Sequence, residues 1–373
     1  MTKRFGSSIM GVACLLALSS AAFGQLPSPS KGLNIGNTME PTCGVGCWGP
    51  PMPTKAGIDA YAAAGFNTVR VPCAWHYQSN RQGTINSTYM AQITQIVNWC
   101  IADGLYVIIN DHWDNGWFEN DRFSRYSSTL NGTMTSMWTQ IANNFKNTDA
   151  THLLFACANE PNASTQAQSK ILFQYYQNWV NTVRGTGGNN ATRWLIVQGP
   201  SASLDNATSY MPNMPTDSAH HTMLECHFYD PYQFSQMTTD ASWGAMFYFW
   251  GAAYHVVNGP TNRNANWGEE SWMSSELAKG HAFVTRGIPV LMGEWRAVAK
   301  PSEADLTGQY ITQNVNSTTF WNYNFSNTAS SNGLYATCWQ TDDIIDQATG
   351  AVINQAALNS VKGTSYIPAI PGL

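Results

Sequence analysis

Eight short apolar runs, each followed by a longer polar or amphipathic stretch, constrain this chain more than any other feature. The runs cover residues 33–36, 68–71, 106–110, 153–157, 194–198, 223–228, 289–292 and 334–339. They are too short for helices and nearly unbroken in apolar character, which is how strands covered on both faces read. Helix-like segments lie between them, at 55–64, 88–102, 133–146, 167–184, 269–286 and roughly 304–323. In 88–102, for example, Met90, Ile93, Ile96, Val97 and Ile101 recur at helical spacing. Gly65 and Gly104 stand where a helix C-terminus favours glycine. Strands alternating with helices imply a parallel sheet, and eight units in about 350 residues predict a closed (β/α)8 TIM barrel. A doubly wound open sheet is the alternative, but no glycine-rich phosphate loop follows the first run. No Pro/Ser/Gly linker or internal repeat divides the chain, so residues 25–373 are expected to form a single catalytic domain.

Residues 1–24 read as a secretory signal peptide rather than as part of the fold. Lys3 and Arg4 precede a largely apolar stretch over 9–23, and Ala22-Phe23-Gly24 supplies small residues for cleavage before Gln25. The apolar stretch is shorter than the ~20 residues of a membrane span. A secreted protein, extracellular or periplasmic and free of the membrane after cleavage, is expected. Without the leader, 16 basic residues face 23 acidic ones, a net charge of −7. That balance argues against nucleic acid or an acidic lipid surface as partner. Charged residues are only 11% of the chain while aromatics are 12%, including 15 Trp. Such a surface suits a neutral polar ligand with apolar faces, such as a sugar. Seven cysteines remain. Cys43 and Cys47 flank a tight loop and are placed to bridge in an exported protein, whereas Cys157, Cys226 and Cys338 read as small buried hydrophobes. No second cysteine pair stands at zinc-ligand spacing, so no metal is expected.

In a barrel, function lies where strands end. Two of those ends carry glutamates: Glu160 in Ala158-Asn-Glu-Pro161, and Glu294 in Gly293-Glu-Trp295. Paired carboxylates suit glycosidic bond cleavage, one protonating the leaving oxygen and the other facing the anomeric carbon. Around the same mouth stand Asn34 and Asn37, Arg70 and His76, His112 and Trp113, Asn159, His227 and Tyr229, Trp295 and Trp339. Any one of these is unremarkable in a barrel; all together they describe a sugar site.

The ordered motifs Gly32-Leu-Asn-Ile-Gly-Asn-Thr38, Thr68-Val-Arg-Val-Pro-Cys-Ala-Trp-His76, Val107-Ile-Ile-Asn-Asp-His112, Asn159-Glu-Pro161, His227-Phe-Tyr-Asp-Pro-Tyr232 and Gly293-Glu-Trp295 resemble glycoside hydrolase family 5, the cellulase-type barrel enzymes. The resemblance implies Glu160 as acid/base and Glu294 as nucleophile. It also implies a supporting group of Arg70, His112, Asn159, His227 and Tyr229, with Trp339 as a sugar platform. It points to a secreted, retaining endo-β-1,4-glucanase that is monomeric, needs no cofactor and takes a β-glucan as substrate. Xyloglucan, mixed-linkage glucan and β-mannan are the alternatives under the same mechanism. Asn37, His76, Trp113, Trp295 and Trp339 are the expected substrate contacts. Two positions depart from the family pattern: Gln340 stands where an acid is common, and Trp295 where Tyr or Phe is, so Trp295 is read as a wider apolar shelf.

The chemistry sets expectations for the two carboxyl groups. Arg70 should hold Glu294 ionised. Glu160 must carry a proton when substrate arrives, so its pKa should be raised, with Glu294 supplying the repulsion. Net retention predicts carboxyl groups ~5–5.5 Å apart. A non-catalytic sugar-binding barrel would lack one glutamate, and both are present. A metal-dependent barrel hydrolase would open with a His-x-His pair where Asn34-Ile-Gly-Asn37 stands.

Overall fold

The computed structural model describes residues 31–120, 122–300, 302–303 and 306–369. The expected leader lies outside the described residues. Eight strands, β1 (Lys31–Asn34), β2 (Thr68–Val71), β3 (Tyr106–Asn110), β4 (Leu153–Ala156), β5 (Leu195–Gln198), β6 (Thr222–Phe228), β7 (Val290–Trp295) and β8 (Tyr335–Cys338), close into a barrel in chain order with every pairing parallel. Each expected strand is present, β2 and β3 with the expected bounds and the others shifted by a residue or two at their ends, except β7. That strand runs on through Glu294 and Trp295 instead of stopping at Met292.

The helices are α1 (Lys55–Ala63), α2 (Ser87–Ala102), α3 (Ser128–Phe145), α4 (Gln166–Gly185), α5 (Leu204–Tyr210), α6 (Tyr232–Ser235), α7 (Glu270–Val284), α8 (Gln309–Ser331) and α9 (Gln355–Val361). Thr54, Asn86, Ser127 and Thr165 start the first four by accepting N–H bonds from the opening turn, and Thr165 with Gln168 completes a capping box. α3 begins before the expected 133 because the Ser127 cap fixes its start ahead of its first buried residue. α8 runs past 323 because Phe325 and Ala329 still face the core. Its Asn/Ser/Thr-rich sequence hides that face, and α5, α6 and α9 are too short to show a period.

Alternation along the strands builds two cores. Val69, Val107, Ile109, Phe155 and Leu224 point outward into the layer between sheet and helices. Ile108, Leu154, Ala156, Ile196, Met223 and Leu291 fill the barrel interior. One step closer to the carboxyl ends, the inward positions turn polar: Asn34, Arg70, Asn110, Gln198, Glu225 and Thr337 are all buried. This polar layer is the floor of the site. The long connection between α6 and α7 carries its own small core of Met237, Met246, Tyr248, Phe249 and Val256, closed by Leu306. Cys43 and Cys47 form a disulfide, and Cys73, Cys100, Cys157, Cys226 and Cys338 are free and buried. Among the described residues, no helix is long and apolar enough to cross a membrane.

Candidate active site

Arg70 organises the floor. Fully buried, it donates from Nη1 to Asn34 Oδ1 and Glu294 Oε1 and from Nη2 to Asn159 Oδ1, each at 2.9 Å, and its Nη2 pairs with Glu225 Oε1 at 2.9 Å. Asn34 in turn donates to the carbonyl of Gly293 at 2.9 Å, which ties β1 to the residue before Glu294. The β6–β7 register slips between Cys226 and His227, so that His227 pairs with Glu294 and Gly293 is skipped. A Cβ on Gly293 would lie 2.0 Å from Glu225 Oε1, so only glycine leaves room for that buried carboxylate.

Glu294 sits at the bottom of the mouth, with Tyr229 donating its hydroxyl to Oε2 at 3.0 Å and His112 Nε2 at 3.9 Å from Oε1. Glu160 stands over it with 46% of its side chain open to the cleft, against 7% for Glu294. One carboxylate oxygen of each glutamate and a ring nitrogen of His227 lie within 4.8 Å of one another. This close approach of the two carboxyl groups fits the short spacing of a retaining pair rather than the ~6.5–9.5 Å of an inverting one. The same three side chains also have the size of a metal-ligand set. Their donor atoms are already committed, His227 to Glu160, and Glu294 to Arg70 and Tyr229.

The proton distribution differs from the sequence expectation. Desolvation raises the Glu160 carboxyl, but the hydrogen bond and charge of His227 and then the charge of Arg70 outweigh it, leaving Glu160 below its ordinary range. Burial raises Glu294, and the lowering effects of His227 and Arg70 do not fully offset it. The cause is His227, whose Nδ1 is 2.7 Å from Glu160 Oε1. Burial lowers this imidazole, yet Glu294, Glu160 and Glu225 together push it up to about 10. The contacts that lower Glu160 are the ones that favour a proton on His227, one hydrogen bond away.

A pH prediction follows. A raised folded-state pKa stabilises below the unfolded value of ~6.5 and loses that stabilisation as pH climbs towards about 10. The lowered Glu160 contributes above its unfolded value of ~4.3 and fails as pH falls through its folded one. The gap in thermal midpoint between wild type and His227→Gln is expected to be widest near pH 6 and to narrow towards pH 10. A gap that stays constant across that range would remove the coupling.

His112 is held neutral, first by burial and then by Arg70 and His227. Its ring stacks on Trp339 at 5.4 Å and 4°, placing that indole beside Glu294. Asn159 uses its carbonyl on Arg70 and one amide proton on Glu119 Oε1 at 3.0 Å, keeping a second proton available. Asn37 adopts a left-handed turn (φ 59°) just beyond β1, its N–H bonded to Glu40. Trp113 is half-buried, 6.1 Å from the exposed ring of Trp48.

A family model described as Cellulase (glycosyl hydrolase family 5) matches residues 30–327. The chain belongs to glycosyl hydrolase family 5. Over 353 residues it is 32% identical to the xyloglucan-specific endo-beta-1,4-glucanase BoGH5A of Bacteroides ovatus, covering 88% of this chain and 67% of that protein. Endoglucanase A of Paenibacillus barcinonensis is 30% identical, with 83% of this chain and 86% of the relative covered. Among solved structures, the family 5 xyloglucan-specific beta-1,4-glucanase XEG5B from a ruminal metagenomic library, in complex with XXLG, superposes with a TM-score of 0.80 at 37% identity. The match covers 89% of this chain and 93% of that one. The chain spans only 51% of another relative, Endoglucanase B of Clostridium cellulovorans. This family 5 enzyme is a glycosidase of endoglucanase type.

One expected contact of the family 5 enzyme is corrected by its structure. Trp295 is no shelf: it is 2% exposed and stacks on Phe325 at 4.4 Å. Strand alternation requires this, because Glu294 points inward and its neighbour must point out towards α8. His76 is exposed on the rim, stacked on Trp117 at 4.9 Å, and lines a separate cavity of about 560 Å³ with Ser79, Asn80 and Met137. Conversely, Glu225 and Gln198 were missed. Gln198 accepts the Glu160 N–H and sets its Nε2 2.9 Å from His227 Nε2. Their signal was available: each is a polar residue at an inward position of an otherwise apolar strand. Glu119 is a third member of the site, its carboxyl raised to about 8, first by burial and further by Glu160 and Glu294 against the lowering bond from Asn159.

Proposed function

We propose that this enzyme is an exported, retaining endo-β-1,4-glucanase that acts on xyloglucan, with Glu294 as nucleophile and Glu160 as acid/base. The single observation that carries the mechanism is the approach of Glu160, Glu294 and His227 to within 4.8 Å. In the first step a Glu294 oxygen bonds to the anomeric carbon as the glycosidic bond breaks, and the leaving oxygen takes its proton from Glu160. Arg70 and Tyr229 orient the attacking carboxylate. In the second step water attacks the same carbon, gives its proton to Glu160 and releases Glu294. Substrate covering the cleft strips the remaining water from Glu160, which raises its pKa and draws the proton across from His227. Asn159 offers its second amide proton to the sugar 2-hydroxyl, a bond that strengthens in an oxocarbenium-like transition state.

Xyloglucan is favoured over other β-glucans because it is named for both BoGH5A and XEG5B. The leader at 1–24 supports export, and a monomer is the working state. Reducing-sugar release from xyloglucan, carboxymethylcellulose, lichenan and mannan tests the substrate. The highest rate is expected on xyloglucan, with the β-anomer appearing first by proton NMR. Activity confined to mannan would overturn the polymer, and an initial α-anomer would overturn retention.

A further inference from the structure

The connection from β3 to α3 reaches across to Asn159, the residue before Glu160, and it is held firmly where it does so. Trp117 donates its indole N–H to Asp111 Oδ2 at 3.0 Å. Phe118 packs edge-on against Phe123 and Tyr175, each at 5.5 Å. The carbonyl of Glu119 accepts the N–H of Asn162 at 3.0 Å, which joins this connection to the segment following β4. Gly116 adopts a left-handed φ of 67°, and a Cβ there would lie 2.0 Å from Asn120 Nδ2, so the turn closes only on glycine. With the backbone fixed on both sides, the half-buried side chain of Glu119 is delivered to Asn159.

Asn159 has one carbonyl oxygen and two amide protons to place. Arg70 carries donors only, so its Nη2 at 2.9 Å selects Oδ1 and decides which end of the amide is which. One bond does not fix the amide plane, because the terminal torsion of asparagine is broad. Glu119 Oε1, 3.0 Å from Nδ2, supplies the second point. Two fixed points set the plane, and the direction of the remaining amide proton follows from it. Burial raises the Glu119 carboxyl to about 8, and Glu160 and Glu294 add to the rise against the Asn159 bond. Near neutral pH it therefore accepts from Asn159 without placing a third charge beside the two glutamates.

We propose that Glu119 is a positioning residue for the reaction: it pins the amide plane of Asn159 and so aims the free amide proton at the 2-hydroxyl of the sugar under attack. The inference rests on the glycosidase reading above. The full chain, as Glu119→Ala, Glu119→Asp and Glu119→Gln, is compared with wild type on 4-nitrophenyl β-cellobioside and on its analogue lacking the 2-hydroxyl of the sugar that carries nitrophenol. The analogue cannot take the bond from Asn159, so each enzyme is read as the ratio of kcat/KM for the cellobioside to that for the analogue. In Glu119→Ala the ratio is expected to fall about tenfold, the loss of one well-aimed hydrogen bond in the transition state. Glu119→Asp keeps a carboxyl but draws it back by one methylene, and is expected to resemble Glu119→Ala. Glu119→Gln keeps an acceptor oxygen at full reach and is expected to hold the ratio within about twofold of wild type. A merely structural role would slow both substrates alike. An unchanged ratio in Glu119→Ala or Glu119→Asp, or a Glu119→Gln as impaired as Glu119→Ala, would overturn the proposal alone. A wild type inactive on both aryl glycosides and on xyloglucan would overturn the glycosidase reading, and the proposal with it.

Discussion

Glu294→Gln is expected to lower kcat/KM on β-glucan by a factor on the order of 10⁵, because it removes the atom that bonds to the anomeric carbon. The substitution is nearly silent for the fold. The amide oxygen still accepts from Arg70, and the amide nitrogen faces the Tyr229 hydroxyl, which can accept. Binding to xyloglucan should survive, so affinity electrophoresis separates lost chemistry from lost structure. A complementary experiment uses wild type with a 2-deoxy-2-fluoro cellobioside, whose glycosyl-enzyme intermediate hydrolyses slowly. Mass spectrometry should place the adduct on the peptide carrying Glu294. An adduct elsewhere, or a variant retaining more than about a hundredth of wild-type activity, would remove Glu294 from its role.

What the sequence discloses about this site follows a physical boundary. The barrel is legible because its strands are short, apolar and evenly interleaved with helices, a pattern set by burial on both faces. Glu160, Glu294 and Arg70 are legible because polar groups at the ends of such strands have no structural reason to be there. Trp295 was misplaced because the run was ended at Met292. Once β7 is carried on through Glu294, alternation alone turns the tryptophan outward. Gln198 and Glu225 are readable by the same alternation: Gln198 closes the β5 run and Glu225 stands in the middle of β6, each an inward polar position among apolar neighbours. Proton placement was beyond reach for a different reason. It depends on His227 lying 2.7 Å from Glu160 and on Glu225 behind it, contacts between strands that no local pattern encodes. The connection between α6 and α7 shows no period because its small core is assembled from an irregular segment and one distant leucine.

Glu160→Ala is expected to separate substrates by their leaving groups. With xyloglucan, whose leaving oxygen is strongly basic, loss of the acid should cost about a thousandfold or more. With an aryl cellobioside bearing a dinitrophenolate, which departs without protonation, bond breaking should persist and deglycosylation should become limiting, seen as a burst of phenolate. Azide needs no general base, and the space left by the side chain admits it from the face that Glu160 occupied. It should restore turnover and yield the β-glycosyl azide. The corresponding Glu294→Ala variant should instead yield the α-azide, since azide then attacks directly from the nucleophile's face in a single displacement. The two anomers identify which carboxylate lies on which side of the sugar, independently of any rate. If Glu160→Ala gave the α-azide, or lost aryl and polymeric substrates in equal measure, the roles assigned to Glu160 and Glu294 would be exchanged or wrong.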